Sequence, residues 1–195
     1  MSSHHIVKDN QEPALIVLSE DFNTEILYQL LEWSPLVCVS AQAAQKFIDL
    51  GINTDAVFGE SESLIGELAG KQPHIEFIKT GAGEQVNNII RYLQARKHTG
   101  ANILGNTEPG LLAEIISAFP SFKAVSYAEH SKSFIVHSTY RKWLLEGSRM
   151  KLISGNHMDL TVTGPCSVDG NEITALADGI IEIRAGSPLI LEEAV

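Results

Sequence analysis

Glu60 and Glu62 stand one residue apart in the run Gly59-Glu60-Ser61-Glu62-Ser63. In an extended segment, side chains at that spacing point to the same side. Two carboxylates so placed offer catalytic groups and a seat for Mg²⁺ that keeps most of its waters. The same acids also suit a solvated loop, and Glu62 precedes an expected helix whose N-terminal dipole favours negative charge. Gly81-Ala82-Gly83 before a further expected helix is half of a phosphate loop, since glycine lets backbone N–H groups approach an anion at a helix start. No third glycine stands at dinucleotide spacing, no Gly-Lys-Ser/Thr follows, and Glu84 would set a negative charge beside the phosphate. A plain turn is the expectation there. His4 and His5 read as solvated residues of a polar leader, and His130 and His137 as hydrogen-bonding surface or interface residues. Tyr127, Tyr140 and Trp143 read as packing near a domain junction, or as the lining of a cleft between domains.

These residues need elements to hold them. Ala14 to Ser19 reads as a buried strand, and Asn23 or Thr24 caps a helix with Ile26, Leu27, Leu30 and Leu31 on one face. Leu36 to Ser40 is a second strand, carrying Cys38 as a small core hydrophobe. Ala41 to Leu50 is a helix stopped by Gly51. Asp55 to Phe58, His74 to Ile78 and Ala101 to Leu104 read as further strands, with helices expected from Ser63 to Leu68, Glu84 to Arg96 and Leu111 to Ala118. Lys123 to Tyr127 is a sixth strand. Repeated β-then-α order with right-handed crossovers predicts an α/β domain: an open, mostly parallel, doubly wound sheet with helices on both faces. Beyond Glu129-His130-Ser131-Lys132 the helix period disappears. Short alternating runs (Ser133 to His137, Tyr140 to Leu144, Met150 to Ser154, Asp159 to Thr163, Ile180 to Ile183, Leu189 to Leu191) predict a smaller all-β, sandwich-like domain. The expected organisation is a leader over 1–12, the α/β domain over 13–130 and the β domain over 131–195.

Composition narrows the function. The chain has 195 residues, 44% of them hydrophobic and 19% charged, which describes an ordinary globule and excludes disorder. Fourteen basic against 24 acidic residues give a formal charge of −10, so no nucleic-acid partner is expected. No apolar run is long enough to span a bilayer, so no membrane role is expected either. Cys38 and Cys166 lie far apart without a CxxC pair, which points to a reducing, cytoplasmic setting. No Ser/His/Asp or Cys/His arrangement is suggested by spacing.

In open parallel sheets ligands sit outside the carboxyl ends of the strands. The loops there offer Ser40, Ala41 and Gln42 after the second strand, then Glu60 and Glu62, then Thr80, Gly81, Gly83, Glu84 and Gln85, then Asn106, Thr107 and Glu108. None of these is a lysine or arginine. The order of parts resembles the thiamine pyrophosphokinase family. Asp49-Leu50-Gly51-Ile52-Asn53-Thr54-Asp55 and Gly59-Glu60-Ser61-Glu62-Ser63 look like its third-strand segment, whose turn in the family is Gly-Asp-x-Asp-Ser. Arg91-Tyr92-Leu93 and Ala101-Asn102-Ile103-Leu104 match the helix and strand around the next motif. His130-Ser131-Lys132 and Gly147-Ser148-Arg149-Met150-Lys151-Leu152-Ile153 look like the start of the second domain. Most of the chain is covered.

The resemblance implies an α/β domain joined to a β-sandwich, a homodimer, and transfer of pyrophosphate from ATP to thiamine with Mg²⁺. It also marks departures. Ala41-Gln42 stand where the family carries Asp-Gly, Glu60 and Glu62 replace both aspartates, and Thr80 and Glu84-Gln85 fall at its Asp and Thr-Asp. Gly110, Leu112 and Ala113 fall at its Arg, Asp and His, and Asn171-Glu172 is the nearest text to its thiamine-facing Ser-Asn. The expectation is a catalytically impaired relative that binds thiamine or a related small molecule. Glu60 and Glu62 are the candidate catalytic and metal residues, and Gln42, Thr80, Gln85, Asn106, Glu108 and Asn171 the candidate ligand contacts. An active enzyme using Glu60 and Glu62 with Mg²⁺, helped by Glu84 or Glu108, and a non-catalytic dimeric scaffold are the alternatives.

Overall fold

The computed structural model describes residues 12–60, 72, 74–81, 83–105, 108, 110–154 and 160–195. It divides into two compact units, Met1–Asn106 and Thr107–Val195, a division that groups the helix at 111–118 and the strand at 123–127 with the strands that follow them.

In the first unit, β1 (Ala14–Val17), β2 (Val37–Ser40), β3 (Ala56–Gly59), β4 (Glu76–Lys79) and β5 (Gly100–Leu104) pair in the order β5-β1-β2-β3-β4, every pair parallel. Every residue of β1, β2 and β3 is buried, as strands covered on both faces must be. Helix α1 (Thr24–Leu31) begins where Asn23 Oδ1 accepts from the backbone N–H of Glu25 (2.8 Å) and Ile26 (3.3 Å). Helix α2 (Ala41–Asp49) follows β2 and ends at Gly51, whose φ of +68° is the left-handed conformation a helix terminator needs. Helix α3 (Gln85–Ala95) returns the chain from β4 at one edge to β5 at the other. With right-handed crossovers it lies on the sheet face opposite α1 and α2, and it buries Ile89, Ile90 and Leu93. The helix expected from Ser63 to Leu68 lies outside the described residues.

The second unit opens with α4 (Leu111–Ala118) and β6 (Lys123–Tyr127). Here the expectation of a mostly parallel sheet is met only in part. Strand β6 runs antiparallel to β7 (Ser131–Val136), because two residues after Ala128 the chain has already turned back. Parallel pairing joins β1 through β5, and with the antiparallel strands from β7 on the fold is mixed. β7 pairs antiparallel with β14 (Leu189–Ala194), β14 with β9 (Arg149–Ser154), β9 with β12 (Glu172–Ala175), and β12 with β11 (Cys166–Asp169). A second sheet sets β13 (Gly179–Ala185) between β8 (Thr139–Leu144) and β10 (Leu160–Thr163).

Leu144, Ile181 and Ile183 of this small sheet share one core with Met150, Leu152, Ile173 and Leu191 of the larger one, which is the expected sandwich. Strand β9 alternates exposed Arg149 and Lys151 with buried Met150 and Leu152, the period-two pattern that made it legible. The β11–β12 hairpin was not among the expected strands. Its four-residue strands are largely exposed in β11, and its turn sits at Gly170, with φ +57°.

Candidate functional site

Three strand ends of the first unit open on one crevice of about 440 Å³. Ala41 and Gln42 enter it from the first turn of α2, Gly59 and Glu60 from the end of β3, and Thr80, Gly81, Gly83 and Gln85 from the β4–α3 connection. The local chain geometry follows from a few residues. Ser40 Oγ accepts from Ala43 N–H at 3.1 Å and so caps α2. Gly59 is required by proximity, since a Cβ there would lie 2.6 Å from Ala41 Cβ. Thr80 N–H donates to Gly59 O at 3.0 Å, fixing the fourth loop against the third, and Gln85 Nε2 donates to Phe58 O at 2.9 Å. Asp55 does structural work at the other end of β3, accepting from Val37 N–H at 2.7 Å.

Of the candidate residues, Gln42, Glu60, Thr80 and Gln85 are thus brought together. Glu62 and Asn106 lie outside the described residues. Glu108 belongs to the second unit, where its carbonyl accepts from Leu111 N–H at 3.3 Å at the start of α4. Asn171 also belongs to the second unit. It is engaged with β9: its Nδ2 donates to Leu152 O at 3.2 Å and its carbonyl accepts from Leu152 N–H at 2.7 Å.

Electrostatically the crevice is spare. Among its described lining residues Glu60 is the one charged group, and none is a lysine or arginine. The first residues of α2 and α3 bring the partial positive charge of two helix ends, and α3 has no side-chain cap. Hydroxyl and amide groups of Thr80, Gln42 and Gln85 can hydrogen-bond a polar ligand, and the Glu60 carboxylate can pair with a cation. The family resemblance implies Mg²⁺, which demands rigidly placed octahedral oxygen ligands. Among the described residues no group of three or more His, Cys, Asp or Glu is assembled to hold a metal, and Glu60 is the carboxylate this crevice would offer one. Cys38 is fully buried, and burial, reinforced by the Asp55 charge, pushes its thiol well above the ordinary value, so it stays a core residue rather than a nucleophile.

Two features escaped the sequence reading. The sheet order reverses between β1 and β5, the usual binding point of such folds, yet there Gly105 packs on Ser19: a Cβ at Gly105 would lie 2.6 Å from Ser19 O. The crevice described above lies beside β2, β3 and β4. Gly105 itself, at φ +71°, was the available signal. The second feature is a separate cavity within the second unit, lined by Tyr127 and Tyr140 among others. These two tyrosines do line a space, but one built wholly from that unit, while Trp143 stands 56% exposed.

No family model matches the chain, and no curated protein matches it. Solved structures do. Thiamine pyrophosphokinase from Bacillus subtilis superposes with a TM-score of 0.68 at 10% identity, over 93% of this chain and 99% of that one. The Candida albicans thiamin pyrophosphokinase gives 0.63 at 7% identity, covering 96% and 90%. The yeast enzyme gives 0.57 at 10% identity, covering 98% and 88%. The chain therefore has the fold that its connecting segments resemble, over nearly its full length.

Proposed function

We propose that this chain is a diverged thiamine pyrophosphokinase-like protein that binds thiamine, or a related small organic cation, in the crevice of its first unit, and that its capacity for pyrophosphoryl transfer is impaired. The observation that carries this reading is the crevice lining: one carboxylate, a hydroxyl and two amides, with no cationic side chain among the described residues. Pyrophosphoryl transfer rests on positioning and on neutralising the charge that develops on phosphate. A site poor in cations serves that poorly, yet it suits a ligand that is itself positive. The crevice also keeps a volume of about 440 Å³, and neither Leu112 nor Ile115 lines it, which supports ligand binding over a scaffold whose old site is packed shut. The homodimer and the cytoplasmic setting belong to the same proposal; no helix among the described residues is long and apolar enough to cross a membrane.

The position of Glu60 in the crevice favours one second reading, an active transferase in which Glu60 and Glu62 hold Mg²⁺. Incubating the full chain with ATP, Mg²⁺ and thiamine and following AMP separates the two. The proposal expects no thiamine-dependent AMP. Turnover abolished by Glu60→Gln establishes the active enzyme instead.

A further inference from the structure

The second unit holds a cavity of about 710 Å³, within the range of small-molecule sites. Its chemistry is opposite to that of the first unit's crevice. In a chain of formal charge −10, Lys123, Lys132 and Lys142 gather around this one space against the single carboxylate of Glu193, while Arg141 alternates to the opposite face of β8 from Tyr140 and Lys142.

That carboxylate is 7% exposed and organises the cluster. Lys142 Nζ donates to both its oxygens at 2.8 Å, Lys132 Nζ approaches Oε1 at 3.0 Å, and Tyr140 Oη donates to Oε2 at 3.3 Å. Burial pushes the Glu193 carboxyl up, but the hydrogen bonds from Lys142 and Lys132 outweigh it and hold the group below its ordinary value. Each ammonium carries three donors, so both lysines are fixed in place with donors left over. The strand pairing explains the juxtaposition: Lys132 of β7 lies directly opposite Glu193 of β14.

The remaining walls are aromatic and polar. Phe134 and Tyr140 stack at 5.0 Å between ring centroids, tilted by 40°, and Tyr127 adds a further ring. Burial raises the phenol of Tyr127 above its ordinary value, as it does that of Tyr140, so both remain neutral hydrogen-bond donors near pH 7. His137 also lines the cavity, and its Nε2 is buried without a hydrogen-bond partner.

We infer that this cavity is a binding site for a small aromatic anion, a planar ring bearing a phosphate or carboxylate, with the lysine cluster taking the anionic group and the Phe134–Tyr140 wall taking the ring. Cationic donors select the charge, and the rings add apolar and stacking contact. The inference is independent of the role proposed for the first unit, because no residue is shared between the two sites.

The test uses the full chain and 1-naphthyl phosphate as probe, titrated calorimetrically beside inorganic phosphate and neutral 1-naphthol, with the ¹⁵N resonances of the His137 ring followed by NMR. Naphthyl phosphate is expected to bind at one site at least about tenfold more tightly than either fragment, and to shift the His137 Nε2 resonance. Lys123 is exposed, so the variant Lys123→Gln leaves the Glu193 cluster intact. It is expected to weaken naphthyl phosphate by about tenfold or more without altering the folded fraction. Lys142→Gln is expected to weaken it further. Binding no tighter than phosphate alone, affinity unchanged in Lys123→Gln, or a His137 resonance that does not move would each overturn the assignment.

Discussion

The two cavities of this molecule are built by opposite rules. The crevice of the first unit sits at the ends of buried parallel strands and is formed by loop backbone, two helix starts and one acid. The cavity of the second unit sits on antiparallel strands and is formed by long side chains, three of them lysines, ordered by Glu193. Shape in the first is set by the close approach of Gly59 to Ala41. Shape in the second is set by charge pairing. A fold therefore preserves a crevice through glycine packing even when the ionisable residues around it change, whereas a charge-built cavity depends on each member of its cluster.

The same close packing recurs in the first unit at Gly105, away from the crevice. Its φ of +71° and the 2.6 Å approach that a Cβ would make to Ser19 O predict that Gly105→Ala destabilises the protein by about 3 kcal/mol, read by urea denaturation. A cost below about 0.5 kcal/mol would remove backbone packing as the determinant of this end of the sheet. Next in size is Glu193→Ala, which leaves two partly exposed ammonium groups facing each other without their carboxylate. A loss of about 2 kcal/mol is expected, and it should be partly recovered when Lys132→Met is added, since the repulsion then disappears. Ser40→Ala removes the cap of α2 and should cost about 1 kcal/mol.

The smallest effect is acid sensitivity. The Glu193 carboxyl is held below its ordinary value of 4.5 in the folded protein, so its contribution to stability is complete above that value and is lost as the pH falls through the lowered one. Comparing denaturation midpoints of the parent and Glu193→Gln between neutral and acidic pH should show this component in the parent alone. Equal acid dependence in both would show that the cluster is not what holds the carboxyl ionised.

How much of this was legible in the sequence follows the same division. The buried strands of the first unit announced themselves as apolar runs, and Asn23, Ser40 and Gly51 marked helix ends through local chemistry alone. Gln42, Glu60, Thr80 and Gln85 were placed in one site because the strand-end rule needs only strand order. The antiparallel turn of β6 into β7 was not legible, since Lys123–Tyr127 has the same alternation whichever neighbour it takes. The β11–β12 hairpin was missed because its strands are short and mostly exposed. The cationic cavity could not be read at all: Lys132 and Lys142 meet Glu193 across 61 and 51 positions of chain, and only strand register brings them together.

The central claim is that the first unit's crevice retains room for a small cationic ligand while lacking the charges that hold a triphosphate. The most direct measurement is calorimetric titration of the full chain with thiamine and, separately, with ATP in the presence of Mg²⁺. Thiamine is expected to bind, with affinity lowered about tenfold by Glu60→Gln, and ATP to give no saturable heat at millimolar concentration (about 4 kcal/mol of binding free energy). Tight, magnesium-dependent ATP binding that is lost in Glu60→Gln would contradict it.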